Sequence, residues 1–261
     1  MRAGVRVGIQ GLRSTGRRLV FASGLCFLPW LAVPASAQVC VAVDSHNAPF
    51  MFARGDAAEG LYPALVRAAF QQMQLSVRLE AVPWSRALRQ IDEAECGVAG
   101  IYKNRERLLK YEFSAPVFVE RVLLYVRRDR RLAFATPQDL AGLRIGVIRG
   151  WSYGDAFDGL RRAGVLQAEE VASDAQNFSK LESGRLDAAL AVEQAGTALL
   201  SGGAHPSVHA LPQPLAVNAT HLAFHKSAQM GPLLKRFDDA MEQLRRDGSH
   251  DRLVLQALLT Q

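Results

Sequence analysis

From residue 39 onward the chain switches repeatedly between short apolar runs and stretches whose apolar residues recur at helical spacing, and this alternation limits the possible folds more than any other feature. The run 39–44 ("VCVAVD") reads as a buried strand, and 61–74 reads as a helix that presents Leu65, Val66, Ala69, Phe70 and Met73 on one side. Strands at 76–82 and 97–102 follow, with a helix over 84–92 between them. Parallel strands need a crossover, and a helix is its usual form, so this order predicts a parallel α/β unit. After the charged "RRDRR" (Arg127 to Arg131) and the turn-like "TPQDLAG" a second cycle begins, with strands at 144–148, 167–172 and 187–192 and helices at 152–163, 176–183 and 193–201. A loop through Gly202, Gly203 and "HPS", a short strand near Thr220 to Phe224, and an amphipathic helix in "MGPLLKRFDDAMEQLRRDG" ended by Gly248 follow. Two α/β units are therefore expected.

Residues 1–37 stand outside this pattern. A basic start (Arg2, Arg6, Arg13, Arg17, Arg18), an apolar stretch from Leu19 to Val33 and the small residues Ala35-Ser36-Ala37 are the parts of a secretory signal peptide. The apolar stretch is shorter than the ~20 residues a membrane span needs, and it contains Pro29. Neither Cys26 nor Cys40 follows a small residue, which argues against a lipid-anchored start. The presequence carries five of the 31 basic residues and none of the 25 acidic ones, so its removal leaves 26 basic against 25 acidic. That balance removes the case for a nucleic-acid partner. About 224 residues remain, enough for two small lobes or one large domain. Export also permits disulfides: Cys40 in the first strand and Cys96 at the start of a later one are either a bridge worth roughly 4 kcal/mol or two buried thiols.

Open parallel sheets offer ligands a crevice at the carboxyl ends of their strands, where loops and helix N-termini meet. Here those ends are Asp44 to Phe50, Val82 to Trp84, Gly100 to Arg107, Gly150 to Tyr153 and Val192 to Glu193. Arg107 follows a strand end closely, so its fork of donors is placed either to grip a carboxylate or to lie solvated beside Arg105 and Glu106. Gly150-Trp151-Ser152-Tyr153-Gly154 spells G-x-S-x-G after an apolar strand, the pattern of a serine nucleophile elbow. The same five residues suit a glycine turn whose free amides face an anion.

The segments "APFMFARGDAAEGLYPALVRAAF", "VPWSRALRQI", "AGIYKNRERLLKYEFSAPV", "DLAGLRIGVIRGWSYGDAF" and "LESGRLDAALA", in this order and spacing, resemble the extracellular solute-binding proteins of family 3, the polar-amino-acid-binding components of bacterial ABC importers. The likeness covers essentially the whole chain beyond residue 37. It implies an α/β, two-lobed type 2 periplasmic-binding fold, each lobe a mostly parallel sheet flanked by helices. Two crossover strands, near Leu123 to Arg127 and Thr220 to Phe224, would join the lobes. Residues 38–125 and 222–261 would form lobe 1 and 126–221 lobe 2. It implies Arg107 as the carboxylate clamp, Trp84 as an aromatic wall, Gly100 and Tyr102 at the strand end, and Ser152 and Tyr153 as donors from the second lobe. A periplasmic monomer, a small-molecule ligand and an inner-membrane permease as partner follow from the same resemblance. It calls for no cofactor.

Two positions depart from the family's pattern. Val192 stands where an aspartate usually reads the ligand's ammonium, followed by Glu193, and Asn47 stands where an aromatic residue is common. Either Glu193 takes over or the ligand lacks an α-ammonium group. A lyase on the same fold, similar to cyclohexadienyl dehydratases and using Glu193 as general acid, is one alternative. A serine hydrolase using Ser152 with Asp187 and His221 or His225 is another. His221 and His225, four apart on one strand face, lack a third ligand at suitable spacing, so no metal is expected.

Overall fold

In a computed structural model of the chain, Gly8 and residues 38–259 are described, and the expected signal peptide otherwise lies outside them. The elements run β1 (Val39–Asp44), β2 (His46–Asn47), β3 (Met51–Arg54), β4 (Ala57–Glu59), α1 (Leu61–Gln72), β5 (Val77–Val82), α2 (Trp84–Asp92), β6 (Gly97–Tyr102), α3 (Arg105–Lys110), β7 (Tyr111–Phe113) and β8 (Phe118–Arg127). They continue as β9 (Arg144–Ile148), α4 (Asp155–Arg162), β10 (Gln167–Val171), α5 (Asp174–Glu182), β11 (Ala188–Val192), α6 (Glu193–Ser201), β12 (Val208–His225), α7 (Gly231–Arg246) and α8 (Ser249–Leu259). No helix among the described residues is long and apolar enough to cross a membrane.

Among the described residues the main sheet has nine strands, in the order β10-β9-β11-β8-β12-β6-β1-β5, with β7 also paired to β12. β1 runs parallel between β5 and β6, and β9 runs parallel between β10 and β11. These are the two units that the alternation of runs predicts. β8 and β12 are antiparallel to each other and to their outer neighbours, β11 and β6. The chain therefore leaves the first lobe along β8 and comes back along β12.

Several boundaries differ from expectation for local reasons. The helix expected over 152–163 starts at Asp155, because Gly154 takes φ 104° and holds Ser152 and Tyr153 in the preceding turn. The helix expected from 176 starts at Asp174, where Ser173 caps it by accepting the Gln176 N–H. The short strand near 220–224 is the end of an 18-residue strand, β12. Proline removes a ladder donor, so Pro212 and Pro214 hide the strand in the sequence, and the register shifts on both sides of Pro214. The helix expected to end at Gly248 does end there, and Gly248 at φ 73° turns the chain into α8, a helix not expected from the sequence.

Packing explains why the helices lie where they do. α1 buries Leu61, Leu65, Val66, Ala69 and Phe70, and the Phe70 ring meets Phe237 of α7 at 6.3 Å. Each of the leucine, valine and phenylalanine side chains stabilises by about 1.5–3 kcal/mol relative to leaving it exposed. β1 is buried along nearly its whole length because strands flank it on both sides and helices cover it.

Cys40 of β1 and Cys96, the residue before β6, are joined by a disulfide with Cα atoms 4.7 Å apart, closing a loop of 56 residues. The double variant Cys40→Ser/Cys96→Ser is expected to lose about 4 kcal/mol of stability, seen as a lower urea midpoint, with a steeper slope as the uncrosslinked unfolded chain expands. A loss under about 1 kcal/mol would mean that strand pairing alone restrains this loop.

Candidate functional site

The site forms where β1, β6 and β9 end. Asn104 caps α3 by accepting the Arg107 N–H at 2.8 Å, and this short helix turns Arg107 inward as its one buried residue. The guanidinium donates from Nη1 to the Tyr102 carbonyl at 3.0 Å and from Nη2 to the Gly150 carbonyl at 3.2 Å. Trp84, the first residue of α2, donates its Nε1–H to the same Gly150 carbonyl at 3.2 Å, and the guanidinium sits 6.0 Å from its ring. Gly150, at φ 73°, thus offers one oxygen from beyond β9 to two donors from the other half of the sheet. Burial lowers the Arg107 pKa from its ordinary value, yet arginine remains charged.

A cavity lies beside the guanidinium. Of the residues expected in a ligand site, Asn47, Trp84, Gly100, Tyr102, Arg107 and Ser152 line it together. Its free volume is about 10 Å3, room for roughly one water, so its walls have to part before a larger molecule enters. Gly100 takes φ 78°, and a Cβ there would stand 2.7 Å from the Tyr62 ring, so the backbone of β6 can approach only as glycine. Glu120 and Trp151 also line the cavity and were not picked out from the sequence. Trp151 meets Trp84 edge-on with centroids 6.2 Å apart and donates its Nε1–H to Asp44 at 3.3 Å.

Tyr153 and Glu193 lie elsewhere. The Tyr153 hydroxyl accepts the Ile148 N–H at 2.8 Å, and its ring is fully buried beside Phe157. Glu193 is half-buried at the start of α6, where its carboxylate pairs with Arg121 at 3.4 Å and its carbonyl accepts the Tyr125 hydroxyl at 3.3 Å. Ser152 donates its hydroxyl to Asp158, whose other oxygen accepts the Tyr153 N–H at 3.1 Å. The first turn of α4 therefore presents its own carboxylates, Asp155 and Asp158. Asp187 pairs with Arg130 and Arg144, His221 bonds the Ser114 carbonyl and His225 bonds the Ser227 hydroxyl. Each member of the candidate triad has a separate structural partner.

Three buried carboxyls give the site its acidic side. Glu120, on β8, accepts hydrogen bonds from the hydroxyls of Tyr62 and Tyr102, but burial outweighs them and pushes its pKa up to about 7. Burial raises Asp44 to about 6 against the hydrogen bonds from His46 and Trp151. Asp174, first residue of α5, rises to about 7 through burial and then through the negative charges of Asp44 and Glu120. Period-two spacing along "FVERVLLYV" puts Glu120 on one face with Val122 and Leu124, which was the one sign in the sequence that it points inward.

Residues 39–258 match the sequence model of the bacterial extracellular solute-binding proteins, family 3. The L-cystine-binding protein TcyJ of Escherichia coli (strain K12) is 24% identical over 213 residues, covering 80% of this chain and 78% of that protein. Among solved structures, a histidine kinase sensor domain with similarity to periplasmic binding proteins superposes with a TM-score of 0.76 at 20% identity, covering 85% of this chain and 96% of that one. An ancestral arginine-binding protein bound to glutamine gives 0.71 at 20% identity, covering 84% and 96%.

Two outcomes are expected from this geometry. A folded Glu120 that titrates near 7 keeps a proton the unfolded chain has released, so its contribution to stability falls as pH rises from about 4.5 through 7. Relative to wild type, Glu120→Gln should gain on the order of 3 kcal/mol between about pH 4.5 and 8, read from urea midpoints; parallel profiles would remove this titration from Glu120. A fluorophosphonate probe should leave Ser152 unlabelled by mass spectrometry, and labelling there would restore the nucleophile.

Proposed function

The chain belongs to the bacterial extracellular solute-binding proteins of family 3, and from that premise we propose that it captures a small carboxylate-bearing molecule, an amino acid or close analogue, in the periplasm and delivers it to an ABC-type permease. Arg107 carries this reading. Among the described residues its buried guanidinium bonds two backbone carbonyls and no carboxylate. Asp158, Glu106 and Asp92 favour its charge from a distance, but a buried cation whose hydrogen bonds all go to carbonyl dipoles is an incomplete pair, and a planar carboxylate is the group that completes it with two parallel hydrogen bonds.

Capture then works as an exchange. The ligand's carboxylate takes the place of the Gly150 carbonyl at Nη2, while Trp84 and Trp151 close on it from opposite sides of the opening. Residues 38–125 with 222–261 act as one body and 126–221 as the other, with bending in β8 and β12. Ligand contacts made only when both bodies are near favour the closed form, by as much as its affinity for the two forms differs. The work is binding without turnover, since Ser152 and Glu193 are already engaged by Asp158 and Arg121. Two of the proteins named above support an amino acid as ligand, one binding L-cystine and one bound to glutamine.

A thermal-shift screen of amino acids and small organic acids is expected to find a stabilising carboxylate, with about 2.7 kcal/mol of added stability at 100 times its dissociation constant. With that ligand, Arg107→Ala should cost about 2–5 kcal/mol of affinity by calorimetry. Unchanged affinity would take Arg107 out of the site.

A further inference from the structure

The cavity beside Arg107 has a second charged residue in its wall. At the end of β11, Val192 is fully buried and offers no charge, and Glu193 is turned toward Arg121. Glu120 instead reaches the cavity from the crossover strand β8. Resting on the reading of Arg107 as a carboxylate clamp, we propose that Glu120 binds a positively charged group of the ligand, so that the cavity selects zwitterions and rejects carboxylates that carry no cation.

Glu120 is 2% exposed and bonds two neutral hydroxyls, Tyr62 from α1 and Tyr102 from β6, with no cationic partner among the described residues. Each carboxylate oxygen accepts two hydrogen bonds, so each keeps one acceptor position after its tyrosine is satisfied. An independent observation points to the same place. Asn47, 3% exposed, lines this cavity, and neither its Oδ1 nor its Nδ2 has a partner. A buried amide left unpaired carries a desolvation cost, which a ligand that bonds it recovers. Glu120 and Asn47 line one cavity and between them carry three acceptor oxygens, the number an ammonium group can bond.

The surrounding charge has the sign this role requires. Asp174 from α5 lies close enough to Asp44 from β1 and to Glu120 for their charges to raise it, and its Oδ1 is also buried and unpartnered. Trp84 and Trp151 complete the wall with indoles, whose ring faces attract cations. With Arg107 on the same cavity, the site presents one positive and one negative receptor to a single small molecule.

Calorimetry and thermal shift with paired probes test this: L-glutamine against 4-carbamoylbutanoate, L-alanine against propanoate, and 5-aminopentanoate against pentanoate, extended to each amino acid that stabilises the protein and its des-amino acid. The cation-bearing member of the tightest pair is expected to bind at least about 100-fold more strongly. Glu120→Gln should weaken that member by about 30-fold or more and leave its des-amino partner within about 3-fold. Binding of the cationic probe at pH 7, followed in buffers of different ionisation enthalpy, should release roughly half a proton more from wild type, where Glu120 ionises, than from the variant, where Asp44 and Asp174 alone respond. Equal affinity within pairs without this extra proton release, or a variant that binds the cationic probe as wild type does, overturns the role of Glu120 and leaves carboxylate capture standing. If Glu120→Gln does not fold, the wild-type pairs and proton release decide. Failure of every carboxylate to bind wild type sinks the carboxylate clamp itself, and this proposal with it.

Discussion

A guanidinium shut away from water and bonded only to backbone carbonyls is the contact on which the rest of this molecule depends. Arg107 takes one carbonyl from its own half, at Tyr102, and one from the other half, at Gly150. Each N–H to O bond offsets part of the cost of burying the charge, but a neutral dipole does so less fully than an anion. The arrangement is stable enough to exist and open to replacement by a better partner. Trp84, sharing the Gly150 oxygen, and Trp151, bonded to Asp44, lie on the same seam.

The acidic residues are held by longer-range means. Asp44 comes from a strand end of the first half, Asp174 from a helix start in the second, and Glu120 from the strand that joins them. In this poorly solvated space all three titrate above the ordinary carboxylate range, and their mutual repulsion is part of the cause for Asp174. A fold that crosses between halves on two long antiparallel strands puts a residue such as Glu120 at the centre of the molecule, within reach of both sides of the opening.

The G-x-S-x-G pattern shows how far a short motif can be read. Its glycines do what the pattern suggests, turning the chain from β9 into α4 through positive φ at Gly150 and Gly154. Its serine does not stand ready as a nucleophile, because Asp158, six residues on, takes its hydroxyl. The partner that decides between the two roles lies one helical turn beyond the motif.

The chain's own order of residues determined the two α/β units and nearly every strand and helix around the site, since burial on both faces of β1, β6, β9 and β11 demands uninterrupted apolar runs and helical periodicity is local. It also determined the end of β6 just before Arg107, but not α3 or the Asn104 cap that turns that arginine inward. Only the tertiary structure decided what Arg107, Glu120 and Asn47 face, how far β8 and β12 extend, and that Glu193 lies outside the cavity. Those outcomes depend on pairings between residues up to a hundred positions apart, such as Thr220 with Phe118, and no local spacing encodes them.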